Sequence, residues 1–427
     1  MTQYSIHNAR VIDPDSGVDE IRSLHISGQH IVATGDAPEG FTADSEVDAS
    51  GLIASPGLVD LYARLREPGF EKKATIATEA KAALYGGITT VICSPDTDPV
   101  VDEVATVELI HRRAVDAGFA NVKPLAALTR QLNGEQLGEI ATLCEAGCVG
   151  ATNADNPISN TLVIRRLMEY ARTFNIVLVF APVDAWLATG NGAHEGSVAT
   201  RLGIPAIPVA AETVALSMLI ELATLTGASI HFSRLTSARG IELVRDAKNR
   251  GLPVTADTSI SHLFFSEQGI NDFNSAFKSV APFRSEQDRQ ALRDSVLDGT
   301  LDAICSDHSP HEVDAKLVPF PTAAAGLSTL DTFLPQLLKF QQETQSELSA
   351  LLRLVTSGPA SVFGLDCGTL QAGAIADITL FDPTISRTVT HAGLLSMGKN
   401  TPCLGEEFQG QVTKMVIAGR LIDINRR

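Results

Sequence analysis

Tyr62 and Arg64 stand two residues apart, where the apolar run Ala54-Ser55-Pro56-Gly57-Leu58-Val59-Asp60 gives way to Arg66-Glu67-Pro68-Gly69. An apolar run closed by a turn reads as a buried strand that delivers its last side chains to the mouth of a site. Residues two apart on a strand share one face, so a phenol and a guanidinium are presented together. A guanidinium is a permanent cation with a rigid fork, suited to carboxylates on a ligand or on the protein itself. A second group able to do chemistry, Asp307-His308-Ser309-Pro310-His311, comes late in the chain. Its histidines read as side chains packed or hydrogen-bonded in a loop rather than as metal ligands, and so do His231 and His262. Cys144 and Cys148 are four apart, but no CxxC pair or nearby histidine completes a tetrahedral set, so they read as reduced thiols.

The elements that must hold these residues are legible in the hydrophobic pattern. Short apolar runs near residues 58–62, 88–93, 122–126, 148–151, 176–180, 228–232, 252–256 and 302–305 alternate with amphipathic helical stretches. One such helix runs from Ile158 to Thr173, with Leu162, Ile164, Leu167, Met168 and Ala171 at helical spacing. Eightfold alternation predicts a (β/α)8 TIM barrel over residues 55–371, with its site at the carboxyl ends of the strands. Residues 1–54 and 372–427 carry short alternating segments between Gly and Asp turns, which read as strands. A chain of 427 residues with 44% hydrophobic and 19% charged residues reads as a globular protein with a large core. Its formal net charge of −17 argues against nucleic acid or an anionic membrane as partner. The start of the chain lacks the pattern of a signal peptide, and the most apolar helix candidate, around residues 209–226, contains Glu212 and Glu221. A cytoplasmic protein without a membrane span is expected.

Asp60, Arg66, Glu67, Pro68 and Gly69 match the Asp-x-His-x-His-x-Arg-Glu-Pro-Gly stretch at the end of the first barrel strand of dihydroorotases, members of the amidohydrolase superfamily. The likeness continues through Gly86-Gly87-Ile88-Thr89-Thr90-Val91, Pro95-Asp96-Thr97-Asp98-Pro99, Gly203-Ile204-Pro205 with Glu212, and Asp307-His308-Ser309-Pro310-His311. The chain thus resembles that family over nearly its whole length. The resemblance implies that the two chain ends pair into one small β-sandwich beside a barrel of the metal-dependent hydrolase type.

The resemblance also implies that the metal-ligand positions have been replaced. Tyr62 and Arg64 stand for the two strand-one histidines, Asn153 and Ala154 for the bridging acid, Ala181 for the strand-five histidine and Arg234 for the strand-six one. Of the ligands, only the strand-eight aspartate, Asp307, is kept; in the family it also moves a proton. Since a zinc shell needs at least three protein ligands, the expectation is a site without metal or cofactor. Arg64 and Arg234 would restore the lost positive charge, and one of them is expected to pair with Asp307. Arg66, Asp96 and His311 would be remnants of the substrate pocket, with Asp96 placing like charge beside a carboxylate substrate and Arg66 forming, with equal weight, a structural pair with Glu67. The stretch Val280-Ala281-Pro282-Phe283-Arg284 stands where the family has a further substrate-binding segment. The expectation drawn from these losses is a chain that is not an enzyme. It would serve instead as a non-catalytic subunit in hetero-oligomeric complex with the aspartate carbamoyltransferase catalytic chain of pyrimidine biosynthesis. The alternatives are an active dihydroorotase or related cyclic-amide hydrolase with a rearranged or absent metal site, and a ligand-binding regulatory module.

Overall fold

The computed structural model describes residues 2–189 and 192–424. The first barrel strand, Leu58–Ala63, pairs in parallel with Ile88–Cys93, which pairs with Asn121–Pro124. The third strand resumes as Ala126–Ala127, and Ala151–Thr152, Leu178–Phe180, Ile230–Phe232 and Val254–Ser259 follow in parallel order. Ala303–Cys305 pairs on the last of these. The ring closes where Ala63 bridges His308 and the Arg64 N–H donates to the His308 carbonyl at 2.8 Å. The fold is a (β/α)8 barrel with a small β-sandwich made by both chain ends.

Local chemistry sets where the barrel helices begin. Thr75 and Thr78 form a capping box on Ile76–Tyr85, and Ser285 and Asp288 form one on Glu286–Leu297. The helix expected from Ile158 begins at Thr161. Pro157 to Ser159 remain in the loop and the Asn160 side chain accepts from the Leu162 N–H as N-cap. Val163, Ile164, Leu167, Met168 and Ala171 are buried as the periodicity requires, but Leu162 is 51% exposed.

In the sandwich, Gln3–Asp13 pairs antiparallel with Val18–Ser27 and in parallel with Ile53–Pro56. That last strand pairs antiparallel with Ile378–Thr388, so the two chain ends share one sheet. Glu407–Ile417 and Arg420–Asp423 extend it. Its core includes Tyr4, Ile6, Leu24, Ile26, Leu380 and Val416. The connection between the two long C-terminal strands reaches back to the barrel: Leu395 and Ser396 donate backbone N–H groups to Asp331, and Met397 donates to Glu79. Asn400 donates to the Ser309 carbonyl and accepts from the His311 N–H. The loop after strand eight is therefore pinned by the C-terminal segment. Among the described residues no helix is long and apolar enough to cross a membrane.

Candidate functional site

The carboxyl ends of strands one, four, six and eight converge on a buried cluster of charge. Arg234 Nη1 donates to Asp307 Oδ1 at 3.0 Å and its Nη2 to Asp155 Oδ1 at 2.7 Å. Arg64 Nε donates to Asp96 Oδ2 at 2.7 Å, while its Nη2 reaches both Asp155 and the Tyr62 hydroxyl. Asp155 therefore lies between two guanidiniums. The Arg234 guanidinium also stacks 3.9 Å from the centre of the Tyr62 ring, and the Tyr62 hydroxyl bonds Ser94 Oγ at 2.9 Å. The arginine side chains are 5% and 2% exposed, whereas Asp155 keeps 30% of its side-chain surface open. Each arginine retains one buried nitrogen with no partner, Nη1 of Arg64 and Nε of Arg234.

Carboxylates behind the cluster orient it. Asp257 accepts from the Arg234 N–H at 2.6 Å and from His231 at 2.8 Å, holding the end of strand six. Asp60 accepts from the Ser306 N–H at 2.7 Å and so sets the turn that carries Asp307. Arg66, Arg234 and Asp307 occupy the left-handed backbone region, with φ of 66°, 60° and 49°. Such conformations are uncommon for residues with a β-carbon and concentrate at functional sites.

The two acids at the centre are pushed in opposite directions. Burial opposes ionisation of Asp155, but Arg234 and Arg64 overcome it and hold the group well below the usual carboxylate range. Burial raises Asp307 against the pull of Arg234, and the charge on Asp155 adds to the rise. Burial also raises the Tyr62 phenol, which stays a neutral donor. Beside the cluster opens a cavity of about 380 Å³ lined by Asp155, Arg234, Glu212, Lys278, Arg284 and Ala325. Arg284 is fixed through Nε to Thr236 and through Nη1 to the Ile207 carbonyl.

A family model described as Dihydro-orotase-like matches residues 51–239, and one described as Amidohydrolase family matches residues 197–422. A "Dihydroorotase-like protein" of Pseudomonas aeruginosa is 44% identical over 417 residues, 98% of each chain. This chain belongs to the dihydroorotase-like amidohydrolases. A relative named "Dihydroorotase" from Anaeromyxobacter dehalogenans is 40% identical over 419 residues, covering 98% of this chain and 97% of its own. Among solved structures, the L-hydantoinase (dihydropyrimidinase) of Arthrobacter aurescens superposes with a TM-score of 0.87 at 21% identity, covering 99% of this chain and 96% of that one. That likeness is one of fold.

These relatives overturn the expectation that the chain is not an enzyme. Proteins named dihydroorotase match it end to end, at 40% identity for one and 37% for another, which points to a hydrolase. Loss of the imidazoles is not loss of the site. The structure instead keeps two permanent cations, a bridging carboxylate and the strand-eight aspartate together.

The side chains of this dihydroorotase-like site do not fit a binuclear metal centre. Guanidiniums fill the positions of Arg64 and Arg234, Ala154 and Ala181 carry no donor, and Asn153 is engaged by Thr129 and by the Leu132 and Asn156 carbonyls. Among the described residues no group of three or more His, Cys, Asp or Glu side chains is arranged to hold a metal ion. His308 bonds Glu79 at 2.7 Å and His262 bonds Ser259, so both are engaged within the fold.

Three further site expectations change. Asp96 pairs with Arg64, so its charge is compensated and does not simply repel an anionic ligand. Arg66 makes no pair with Glu67, because Glu67 turns away to accept from the Ile76 N–H and to meet Arg113. Arg66 instead bonds three neutral groups, Ser309 Oγ at 2.8 Å, the Pro310 carbonyl and His311 Nε2 at 3.2 Å. Burial and Arg64 lower its pKa to about 10. Third, the acid between the two cations is Asp155, one residue past the pair that the resemblance marked. Ala154 has a φ of 52°, and this backbone reversal aims the next side chain at the arginines. A one-residue shift in the Asn153-Ala154-Asp155 stretch was the signal available in the sequence. Lys278 gave none.

Proposed function

We propose that this chain is a cyclic-amide hydrolase of the dihydroorotase type, in which the guanidiniums of Arg64 and Arg234 supply the positive charge of the site. The carrying observation is that both cations are locked around Asp155, with Arg234 and Asp155 at the wall of the cavity. Such preorganised donors stabilise the oxyanion formed when water adds to a ring carbonyl carbon. Asp307, whose proton affinity is raised, takes the proton from that water and returns it to the ring nitrogen as the C–N bond breaks. The products are a carboxylate and an open-chain amide, and the reverse sequence closes the ring. Arg66 is the residue assigned here to a substrate carboxylate, because its hydrogen bonds include no carboxylate partner.

The test is interconversion of dihydroorotate and carbamoyl aspartate by purified chain, with and without chelator, beside Asp307→Asn. Turnover that persists through chelation and falls at least about 100-fold in the variant is expected. No turnover above the uncatalysed rate in either direction refutes the reading.

The same family likeness motivates a partner, the catalytic chain of aspartate carbamoyltransferase. Co-expression followed by size-exclusion chromatography with light scattering tests the association. Separate elution at micromolar concentrations refutes it.

A further inference from the structure

Among the described residues, every hydrogen-bond partner of the Arg66 side chain lies on one short piece of the loop after strand eight: Ser309 Oγ, the Pro310 carbonyl and His311 Nε2. The direction of the guanidinium is therefore set by where residues 309–311 sit. That direction matters for a planar fork meant to meet a carboxylate, because a misplacement of about 1 Å can cost about 100-fold in rate.

These three residues are held by a side chain from outside the barrel. Asn400 stands in the connection between the strands Ile378–Thr388 and Glu407–Ile417 and is buried. Its Nδ2 donates to the Ser309 carbonyl at 3.0 Å and to the Gly326 carbonyl at 2.9 Å, and its Oδ1 accepts from the His311 N–H at 2.9 Å. Both amide hydrogens and the amide oxygen are thus engaged, which fixes the orientation of the side chain. The Asn400 carbonyl accepts from the Ser328 N–H at 2.9 Å, and Lys399 Nζ closes the preceding turn on the Leu394 and Ser396 carbonyls. Gly398 lets this connection lie directly against the loop. A β-carbon there would stand 2.5 Å from Pro310 Cβ and 2.8 Å from Pro310 Cα.

We propose that Asn400 is a positioning residue for substrate binding: it clamps residues 309–311 so that their polar groups aim the Arg66 guanidinium at the substrate carboxylate. The proposal rests on the role assigned to Arg66 above. The clamp requires an amide. A carboxylate at this position would accept from the His311 N–H but would face the Ser309 and Gly326 carbonyls without a hydrogen to offer them. An alanine would strip one partner from each of those carbonyls and from the His311 N–H. Asn400 makes no hydrogen bond to Arg64, Asp155, Arg234 or Asp307, so its effect falls on binding rather than on the step that breaks the ring.

The experiment measures KM and kcat for dihydroorotate on the full chain and on Asn400→Ala, Gly398→Ala, Arg66→Lys and the double variant Asn400→Ala with Arg66→Lys. If the parent does not turn over, the Kd of carbamoyl aspartate from titration calorimetry replaces KM. Gly398 has no positive φ, so an alanine there disturbs the loop through its contact with Pro310 and leaves the Asn400 amide in place. It carries the test where Asn400→Ala fails to fold. The expected result is a KM or Kd raised about tenfold or more by Asn400→Ala and by Gly398→Ala, with kcat within about threefold of the parent. In the Arg66→Lys background, Asn400→Ala should add less than about twofold, because the fork that it aims is gone. An active parent whose folded variants keep its KM overturns the clamp and leaves the hydrolase reading standing. So does a fall in kcat at constant KM, which is what a smaller folded fraction produces, or a double variant whose effects multiply in full. A parent that neither turns over dihydroorotate nor binds carbamoyl aspartate overturns both readings.

Discussion

Asp155 is the keystone of the charge cluster, and Asp155→Asn removes its charge while nearly keeping its shape. Breaking a fully buried pair costs about 3–5 kcal/mol. Two features reduce that here: the side chain is 30% exposed, and each arginine keeps a second carboxylate, Asp96 for Arg64 and Asp307 for Arg234. The expected loss is therefore about 2–3 kcal/mol. At about 1–2 °C per kcal/mol for a chain this long, Tm should fall by roughly 2–6 °C at pH 7. The pH dependence follows from the sign of the shift. Asp155 has a folded pKa below its unfolded one, so its contribution is full above the unfolded value and fades as pH falls through it toward the folded one. The gap between parent and variant should thus be widest near neutrality and shrink below about pH 4. Differential scanning calorimetry of both proteins from pH 3 to 8 measures this. An unchanged Tm at pH 7, or a gap that widens on acidification, would refute the assignment of Asp155 as the charge that binds the two arginines.

Three further outcomes are expected. Tyr62→Phe keeps the ring beneath Arg234 but strips a partner from Ser94 and from Arg64, which should cost about 1–2 kcal/mol by thermal or urea unfolding. Arg66→Lys replaces a fork by a point charge; if Arg66 receives the substrate carboxylate, KM should rise about tenfold or more with a smaller change in kcat, and an unchanged KM would remove it from that role. Glu79→Gln weakens the buried contact with His308 and the anchor of Met397, so amide exchange should quicken in residues 395–400 while the sandwich core stays protected. Although burial opposes its ionisation, the His308 hydrogen bond and charge keep the Glu79 pKa below the ordinary value, so the anchoring is lost as pH falls through the carboxylate range, and a stronger hold in acid would contradict it.

The barrel was legible because its signal is local. A parallel strand covered on both faces must be apolar throughout, and all eight runs anticipated from the hydrophobic pattern overlap or adjoin barrel strands, from Leu58–Ala63 to Ala303–Cys305. The outward face of Leu162 was misread. Leu162 was grouped with the core leucines, yet it stands three, four and seven residues from Arg165, Arg166 and Glu169 and so shares their exposed face, while Asn160 as N-cap fixes only where the helix begins. Family motifs located the strand ends, but they label positions and say nothing of what a substituted residue does there. Read that way, Tyr62, Arg64 and Arg234 looked like losses.

What the sequence by itself determined is the order of elements, the family, and the types of side chain delivered to the barrel mouth. These depend on periodicity, turn chemistry and short motifs, all written within a few residues of one another. What only the tertiary structure decided is which charges meet. Arg64, Asp96, Asp155, Arg234 and Asp307 come from separate strand ends, and their pairing depends on ångström distances and on the backbone reversals at Ala154, Arg234 and Asp307. Coulombic energy in a buried site changes steeply over such distances. The roles of Asp155, as the acid shared by two cations, and of Arg66, as a cation whose hydrogen bonds include no carboxylate, therefore appear only once the chain is folded.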